Sequence, residues 1–155
     1  MILVTLGTQN QKFYRLLDYI EKSSIDDEII VQAGGSINYK SKKMKLFKFI
    51  NYDEMITLIK KADLVITHGG TGSIFLPLQH GKKVIACARL EKYKEHINDH
   101  QTEIVSIFAE MGYLLELNEE NNLDDLIEQA KTFKPKEYVS NKDNFIKLLQ
   151  CEIDE

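Results

Sequence analysis

Short apolar runs alternate along the chain with stretches in which apolar residues recur at helical spacing. The helical stretches predict helices over about 11–22, after a cap at Asp53, from a glycine-rich turn to about His80, and through Ile104, Leu123 and Phe145. The apolar runs are rich in β-branched residues and predict strands at 2–6, 28–32, 45–50, 63–67, 83–88 and 113–117. Strands and helices are therefore expected to alternate along the chain.

The predicted strands are apolar at nearly every position, unlike strands that keep one face in water. Such strands, joined by helices, are typical of a parallel sheet covered by helices on both faces. We therefore predict an α/β, Rossmann-like fold in a single domain spanning residues 1–155. The last predicted helix, at 141–151, is expected to pack on the core, and a docking role for it is left open.

Charge and cysteine content narrow the classes of function. The net charge is −4 and the pI about 5.6, so the average field of the protein repels nucleic acid. Cys87 and Cys151 form no CxxC pair, which indicates reduced thiols in a cytoplasmic protein. No apolar run approaches the ~20 residues of a membrane span, so we expect any membrane association to come through a surface or a partner.

Polar and glycine residues concentrate at the carboxyl ends of the predicted strands, where parallel sheets bind ligands. The fourth strand is followed by a turn that opens a helix and consists of Gly69, Gly70, Thr71, Gly72 and Ser73. Glycines let the backbone approach a ligand closely, and the N–H groups at a helix start attract anions. We predict that this turn holds a phosphate or diphosphate; a tight turn without a ligand is the alternative.

Two common nucleotide motifs are missing around this turn. A GxGxxG pattern that starts at Gly70 would need glycine at 75, where the chain has Phe75. A Walker A loop would need a hydroxyl after Gly81 and Lys82, where the chain has Lys83. A dinucleotide or ATP site is therefore disfavoured, and a nucleotide held by another glycine-turn geometry is left open.

The loop after the fifth strand is dense in functional groups, which are Arg89, Glu95, His96, Asn98, Asp99, His100 and Gln101. We expect this cluster to contact a small molecule, with Arg89 neutralising phosphate. Capping of the next helix by Asn98 or Asp99 is the simpler role for part of it. Zinc is disfavoured although His96 and His100 are four apart, because an HExxH motif would need glutamate at 97, where the chain has Ile97.

Two further positions face the same predicted edge. Gly7 and Thr8 form a second glycine turn after the first strand, and the neutral polar residues that follow it suit hydroxyl-rich ligands. His68 stands at the end of a buried strand, either as a ligand contact or as a structural histidine.

Several motifs occur in order along the chain: ILVTLGT at 2–8, ADLVITHGGTGS at 62–73, GKK at 81–83 and EHINDHQ at 95–101. Together they resemble the nucleotide-sugar-binding half of family 28 glycosyltransferases, over about residues 1–117. The resemblance is to small stand-alone subunits of two-part transferases, both the eukaryotic subunit that extends dolichol-linked N-acetylglucosamine and bacterial capsule and exopolysaccharide subunits. It implies the C-terminal half of a GT-B fold, a UDP-sugar donor, and an inverting reaction without a metal or other cofactor.

The resemblance also assigns roles to individual residues. It gives the donor diphosphate to the turn at 69–73, sugar or diphosphate contacts to Gln101 with Asn98, Asp99 and His100, and the lining of the cleft to Gly7 and Thr8. Many family members bind the ribose through a glutamate that is Leu76 here. Ribose recognition is then expected elsewhere, with Glu95 as a candidate, or donor binding is weaker. His68 is a candidate general base, and a group from a partner chain is the alternative.

The resemblance implies one domain of a cleft enzyme, so a membrane-anchored partner subunit is expected to supply the acceptor side. The expected function is a donor-binding catalytic subunit that moves a hexose, with galactose as one candidate, from a UDP-sugar to a polyprenyl-diphosphate-linked saccharide. This would serve capsular or exopolysaccharide synthesis at the inner face of the membrane. A non-catalytic UDP-sugar-binding or enhancer subunit is the alternative. A Rossmann-like nucleotide enzyme acting alone is a third possibility, which the missing GxGxxG pattern disfavours.

Overall fold

Strands and helices alternate as predicted over residues 1–138, the part of the chain that the computed structural model describes. The strands are β1 (Ile2–Thr5), β2 (Ile29–Gln32), β3 (Met44–Phe47), β4 (Leu64–His68), β5 (Val84–Cys87) and β6 (Leu115–Leu117). The α-helices are α1 (Tyr14–Lys22), α2 (Tyr52–Lys61), α3 (Thr71–Gln79), α4 (His100–Glu110) and α5 (Leu123–Thr132). The helix predicted at 141–151 lies outside the described residues.

The strands form one parallel sheet in the order β3-β2-β1-β4-β5-β6. The chain builds outward from β1 to β3 and then returns to the other side of β1 to add the remaining strands. Such a reversal of direction opens a crevice at the carboxyl ends of the two central strands, here β1 and β4. The predicted α/β, Rossmann-like fold is therefore confirmed, and its topology places a crevice between the Gly7 and His68 turns.

Both faces of the sheet are covered, which explains why its strands are mostly apolar; Lys45 in β3 and Glu116 in β6 are exceptions. In β1, Val4 joins one core with residues of α1 and α5, and Leu3 joins the opposite core with residues of α2, α3 and α4. Phe75 and Phe108 meet edge to face in the second core, with ring centroids 5.3 Å apart. Burying each such large apolar side chain contributes about 1.5–3 kcal/mol, so helices are held on both faces of the sheet.

Several element boundaries differ from the prediction. Helix α1 begins at Tyr14, three residues later than predicted from the spacing. Helix α2 is capped by Asn51, whose side chain accepts from the Glu54 N–H at 2.9 Å, so the predicted cap at Asp53 is wrong. Asp53 lies instead in the first turn, where its charge favours the positive end of the helix.

A second hollow, the β3–α2 groove, lies on the sheet face that α2 covers. It measures about 490 Å³ and is lined by Ile30, Phe47, Ile50, Glu54, Thr57 and Leu58. Its walls are mainly apolar, and it lies beside the edge strand β3. Among residues 1–138, no helix combines the length and the apolar character needed to cross a bilayer.

Candidate functional site

A cavity of about 390 Å³ opens at the carboxyl ends of β1 and β4, where the strand order reverses. Its volume is typical of small-molecule sites. Its lining comes from β1 and β4 and the turns that follow them, from the end of β2, from the segment between β3 and α2, and from helices α2 and α3. The lining residues are Thr5, Gly7, Thr8, Gln9, Gln32, Phe49, Ile50, Met55, Ile59, Val65, His68, Gly70, Gly72, Ser73, Leu76 and Pro77.

The turn after β1 is held by Gln32, at the end of the neighbouring strand β2. The Gln32 side chain accepts from the Gly7 N–H at 3.1 Å and donates to the Gly7 carbonyl at 2.8 Å. Gly7 has a φ of +77°, a conformation that residues with a Cβ rarely adopt. The two hydrogen bonds from Gln32 therefore stabilise a turn that only glycine adopts freely, and they fix one rim of the cavity.

The His68 imidazole lies between two glycines of the site. A Cβ built on Gly7 would stand 2.5 Å from His68 Nε2, and one on Gly70 would stand 2.5 Å from His68 Cε1. A Cβ on Gly69 would stand 2.8 Å from the Gln101 Cβ. The glycines at 7, 69 and 70 thus make room for side chains of the protein itself, whereas the sequence suggested that they make room for a ligand.

His68 is 4% exposed, and both of its ring nitrogens have protein partners. Nε2 lies 3.1 Å from the Ser73 hydroxyl and Nδ1 lies 3.2 Å from the Gln101 amide nitrogen. Burial, together with the nearby positive charge of Arg89, lowers the pKa of His68 to about 3. His68 is therefore neutral at physiological pH and has no free lone pair in this arrangement, which argues against the predicted role of general base.

The first turn of α3 forms the opposite rim of the cavity. Gly70 is the N-cap of this helix, and its first amide N–H groups have no acceptor within the helix, as at every helix start. Gly72 and Ser73 line the cavity, and a Cβ at Gly72 would meet nothing within 4 Å. Backbone donors and the positive end of a helix thus face an open space, an arrangement that favours anions.

The remaining wall of the cavity is apolar. Phe49, Ile50 and Met55 come from the segment between β3 and α2, and Leu76 and Pro77 come from α3. Phe49 is 50% exposed at the mouth, and the Lys48 ammonium lies 5.8 Å from the centroid of its ring. Among the described residues that line the cavity, none carries a carboxylate, so an anionic ligand would meet no like charge there.

Arg89 lies inside the fold, where it has a structural role. Its side chain is fully buried, and its guanidinium donates to the carbonyls of Leu6 at 2.6 Å, Gln11 at 2.9 Å and Glu95 at 3.0 Å. Burial lowers the pKa of Arg89 to about 10, so it stays charged at neutral pH. Its contact with phosphate stays a prediction: in this structure the guanidinium joins the turn after β1 to the loop after β5 and does not line the cavity.

Glu95 is also buried, and it pairs with Arg15 of α1. Its carboxylate accepts from Arg15 Nη2 at 3.0 Å, from Arg15 Nε at 3.1 Å and from the Leu90 N–H at 2.9 Å. A two-pronged arginine–carboxylate pair of this kind fixes the position of both residues. Ribose recognition by Glu95 stays a prediction: in this structure its carboxylate is engaged by Arg15 and Leu90 and does not line the cavity.

The other predicted contacts of this loop do not line the cavity. Asn98 accepts at 3.0 Å from the N–H of His100, the first residue of α4, and so holds the start of that helix, whereas Asp99 accepts from the Glu91 N–H at 2.8 Å and ties the loop to itself. His96 is half-buried, with Nδ1 3.3 Å from the Asn98 nitrogen, and His100 is exposed. Thr71 and Gly69 lie in the turn but outside the lining. Donor contacts by these residues stay predictions.

Some cavity residues were missed by sequence reasoning. Gln32 ends a strand that is otherwise apolar, and that polar residue was the available signal. Phe49, Ile50 and Met55 read as ordinary core or helix residues, because their shared wall exists only once β3 and α2 are placed beside the turn of α3. The described residues contain no group of three or more side chains arranged to hold a metal ion.

The geometry agrees with the match of the sequence to a known family. Residues 1–151 match the model of the glycosyltransferase family 28 C-terminal domain. The chain belongs to this family. Its fold is that of the C-terminal half of GT-B glycosyltransferases. The cavity is lined in part by the glycine-rich turn after β4, which belongs to the motif at 62–73 that resembles family 28.

Individual relatives agree with this assignment to family 28. The chain is 25% identical to the UDP-N-acetylglucosamine transferase subunit ALG13 of Debaryomyces hansenii, over 98% of this chain and 73% of that protein. It is 29% identical to a UDP-N-acetylglucosamine–N-acetylmuramyl-(pentapeptide) pyrophosphoryl-undecaprenol N-acetylglucosamine transferase of Streptococcus thermophilus, over 98% of this chain but only 46% of that protein. The solution structure of ALG13 superposes with a TM-score of 0.59 at 20% identity, covering 99% of this chain and 96% of that one. This family 28 domain therefore shares the ALG13 fold.

Proposed function

We propose that the chain is the donor-binding, catalytic subunit of a two-chain glycosyltransferase that uses a UDP-sugar. The observation that carries the proposal is the cavity at the carboxyl ends of β1 and β4, bounded by the helix start at 70–73. It combines an anion site with an apolar wall in a chain of family 28. A nucleoside diphosphate needs both surfaces, one for its phosphates and one for its base.

The diphosphate of the donor would lie against the first turn of α3. Its oxygens would accept from the backbone N–H groups of Gly72 and Ser73 and from the Ser73 hydroxyl. As the bond to the sugar breaks, negative charge grows on the departing UDP. Donors that are already in place stabilise that charge in the transition state without reorganisation. No metal is needed in this scheme.

The base of the nucleotide would pack on the apolar wall around Phe49 and Ile50. The sugar and ribose hydroxyls would meet Thr8 and Gln9 on the other rim. The Gln9 side-chain oxygen is buried and has no hydrogen-bond partner within the part of the chain that the structure describes. A buried acceptor of this kind is available to a ligand hydroxyl, which compensates for the apolar Leu76 at the position of the family glutamate.

The acceptor side and the general base are proposed to come from a partner subunit. His68 is neutral and engaged at both nitrogens, and none of the described cavity residues has a carboxylate that could take the proton of an acceptor hydroxyl. The relative in Debaryomyces hansenii is named as a transferase subunit, which supports assembly with a second chain. That chain would anchor the complex at the inner, cytoplasmic face of the membrane.

The acceptor proposed is a polyprenyl-diphosphate-linked saccharide, in capsular or exopolysaccharide synthesis, and the sugar is a hexose. Galactose is one candidate. N-acetylglucosamine is another, because both relatives described above are named for the transfer of that sugar from UDP. The cavity lining does not distinguish the two sugars, so a panel of donors decides between them.

Calorimetric titration tests the donor site directly. UDP, UDP-N-acetylglucosamine and UDP-galactose are titrated into the native protein, alone and with its partner subunit, and into Gly72→Trp. Gly72 has open space toward the cavity, so the tryptophan is expected to fill the anion site without disturbing the core, and UDP binding should be lost. Native protein that binds no UDP even beside its partner would refute the proposal.

A non-catalytic donor-binding or enhancer subunit is the second candidate. The apolar Leu76 and the lack of a base among the described cavity residues favour it. Sugar transfer by the reconstituted pair discriminates the two functions. The catalytic role predicts that Gly72→Trp abolishes transfer while the complex still assembles, whereas an enhancer predicts transfer that continues.

A further inference from the structure

Gln101 of α4 lies behind the cavity wall, and both ends of its side-chain amide are engaged. The Oε1 atom accepts from the Gly69 N–H at 3.0 Å and from the Arg89 N–H at 3.1 Å. Two N–H donors at this end require an oxygen there, because an amide NH₂ group accepts no hydrogen bond. The NH₂ end must therefore point the other way, toward His68 Nδ1 at 3.2 Å.

This orientation determines where His68 carries its proton. The Gln101 NH₂ group only donates, so His68 Nδ1 must accept with its lone pair, and the single proton of the neutral ring lies on Nε2. That N–H donates to the Ser73 hydroxyl oxygen at 3.1 Å. A chain of directed hydrogen bonds thus runs from two buried backbone amides to the rim of the cavity.

The surroundings of His68 favour the same state. The backbones at Gly7 and Gly70 close on the ring and hold its plane. The charged or titratable groups around it are Arg89 and His96 from the loop after β5 and the Cys87 thiol, whose residue pairs with His68 in the sheet. A positive guanidinium disfavours a second positive charge nearby, and the buried thiol is neutral because burial raises the pKa of Cys87 to about 12.

We infer that Gln101 is a positioning residue that holds His68 as the neutral Nε2–H tautomer. This tautomer affects the cavity through the hydrogen bond between His68 and Ser73. Its oxygen already accepts from His68, so its own proton is left to donate to an oxygen anion in the cavity. This last step rests on the proposed function, in which that anion is the donor diphosphate.

The tautomer is read by two-bond ¹H–¹⁵N correlation of the histidine rings in the native protein. The His68 signal is identified by elimination, using His80→Gln, His96→Gln and His100→Gln. We expect an Nε2–H pattern that does not titrate between about pH 5 and about pH 8, whereas an ordinary imidazole titrates near pH 6.5. A proton on Nδ1, or titration within that range, would overturn the inference.

Gln101→Glu is the matched variant. One carboxylate oxygen keeps both backbone N–H bonds, and the other presents an acceptor to His68 Nδ1 in place of a donor. The proton is then expected to move onto Nδ1, a change that packing alone would not produce, and an unaltered Nε2–H pattern would contradict the role of Gln101. If the native protein has the expected tautomer but binds no UDP, the positioning of His68 stands and the proposed function fails.

Discussion

Gly7 and His68 lie so close that a Cβ built on Gly7 would stand 2.5 Å from His68 Nε2. Gly7 also has a φ of +77°, so a side chain at this position is excluded both by the ring and by the backbone. The contact joins the turns after β1 and β4, which are the two central strands of the sheet. The shape of this rim of the cavity therefore depends on one residue that has no side chain.

Gly7→Ala should destabilise the protein by about 2 kcal/mol, because it combines a steric clash with a strained backbone. Gly72→Ala is the matched control. Gly72 lies in the first turn of α3 with open space around it, so alanine should leave stability unchanged or raise it by up to about 1 kcal/mol. Urea unfolding of the two variants measures this, and equal stabilities would contradict the described packing of His68.

Arg89→Met should cost about 3 kcal/mol of stability, because it leaves buried carbonyls without donors. UDP affinity of the folded fraction should stay within about threefold of native, whereas loss of a charged phosphate ligand would cost tenfold or more. Lys92→Met removes an exposed ion pair with Glu119 and is the control expected to change neither property. A stable Arg89→Met protein that has lost UDP binding would restore the original phosphate role.

His68 should make the protein less stable in acid. Burial and the Arg89 charge lower its pKa to about 3 from an ordinary value of 6.5, so between these pH values the unfolded chain binds a proton that the native chain excludes. The free energy of unfolding should therefore fall as pH drops from about 6.5 toward 3, by up to about 1.4 kcal/mol per pH unit from this group.

Urea midpoints of native protein and His68→Gln at pH 7, 6 and 5 isolate this contribution, because other groups titrate in both proteins. The stability of the native protein relative to His68→Gln should decrease as the pH is lowered. A difference that stays constant with pH would mean that His68 titrates normally in the fold.

Leu76→Glu should tighten UDP binding by about tenfold, since it places a carboxylate on the cavity wall where many family members bind the ribose. The gain should disappear with 2′,3′-dideoxy-UDP, which lacks the hydroxyls that would donate to it. Leu76→Met keeps the wall apolar and should bind both nucleotides as the native protein does. A weaker affinity of Leu76→Glu for UDP would place the ribose elsewhere.

Cys87 should resist thiol reagents in the native state. Its side chain is 1% exposed, and burial raises the pKa of the thiol to about 12, so the reactive thiolate is scarce. In a Cys151→Ser background, labelling by a disulfide reagent should proceed at the unfolding rate in buffer and at once in concentrated denaturant. Rapid labelling of folded protein would show that the loop after β5 opens readily.

The sheet was predictable because its strands are largely apolar on both faces, as in β4, where all positions are buried. The position of the site was predictable too, since glycine turns at Gly7 and Gly70 follow strands whose carboxyl ends meet at one edge. The pattern of apolar and glycine residues along the chain is enough to predict these strands and turns, because both depend on the spacing of neighbouring residues.

The roles of Arg89 and Gln101 could not be read from sequence. A charged or amide residue beside a strand end is typical of a surface site, yet Arg89 donates to carbonyls of Leu6 and Gln11, more than seventy residues earlier in the chain. The same holds for Gly69, whose missing side chain in the turn after β4 makes room for Gln101 of α4. Interior contacts of this kind depend on how elements pack together, which residue spacing does not encode.

Ile50 lines both the cavity and the β3–α2 groove, so the two hollows adjoin at this side chain. An inhibitor could exploit this arrangement by carrying a pyrophosphate mimic at one end and an apolar extension at the other. The mimic would sit on the start of α3, while the extension would pass over Ile50 into the neighbouring hollow. Such a compound would gain contact area that neither hollow offers alone, and it would do so without a metal-chelating group.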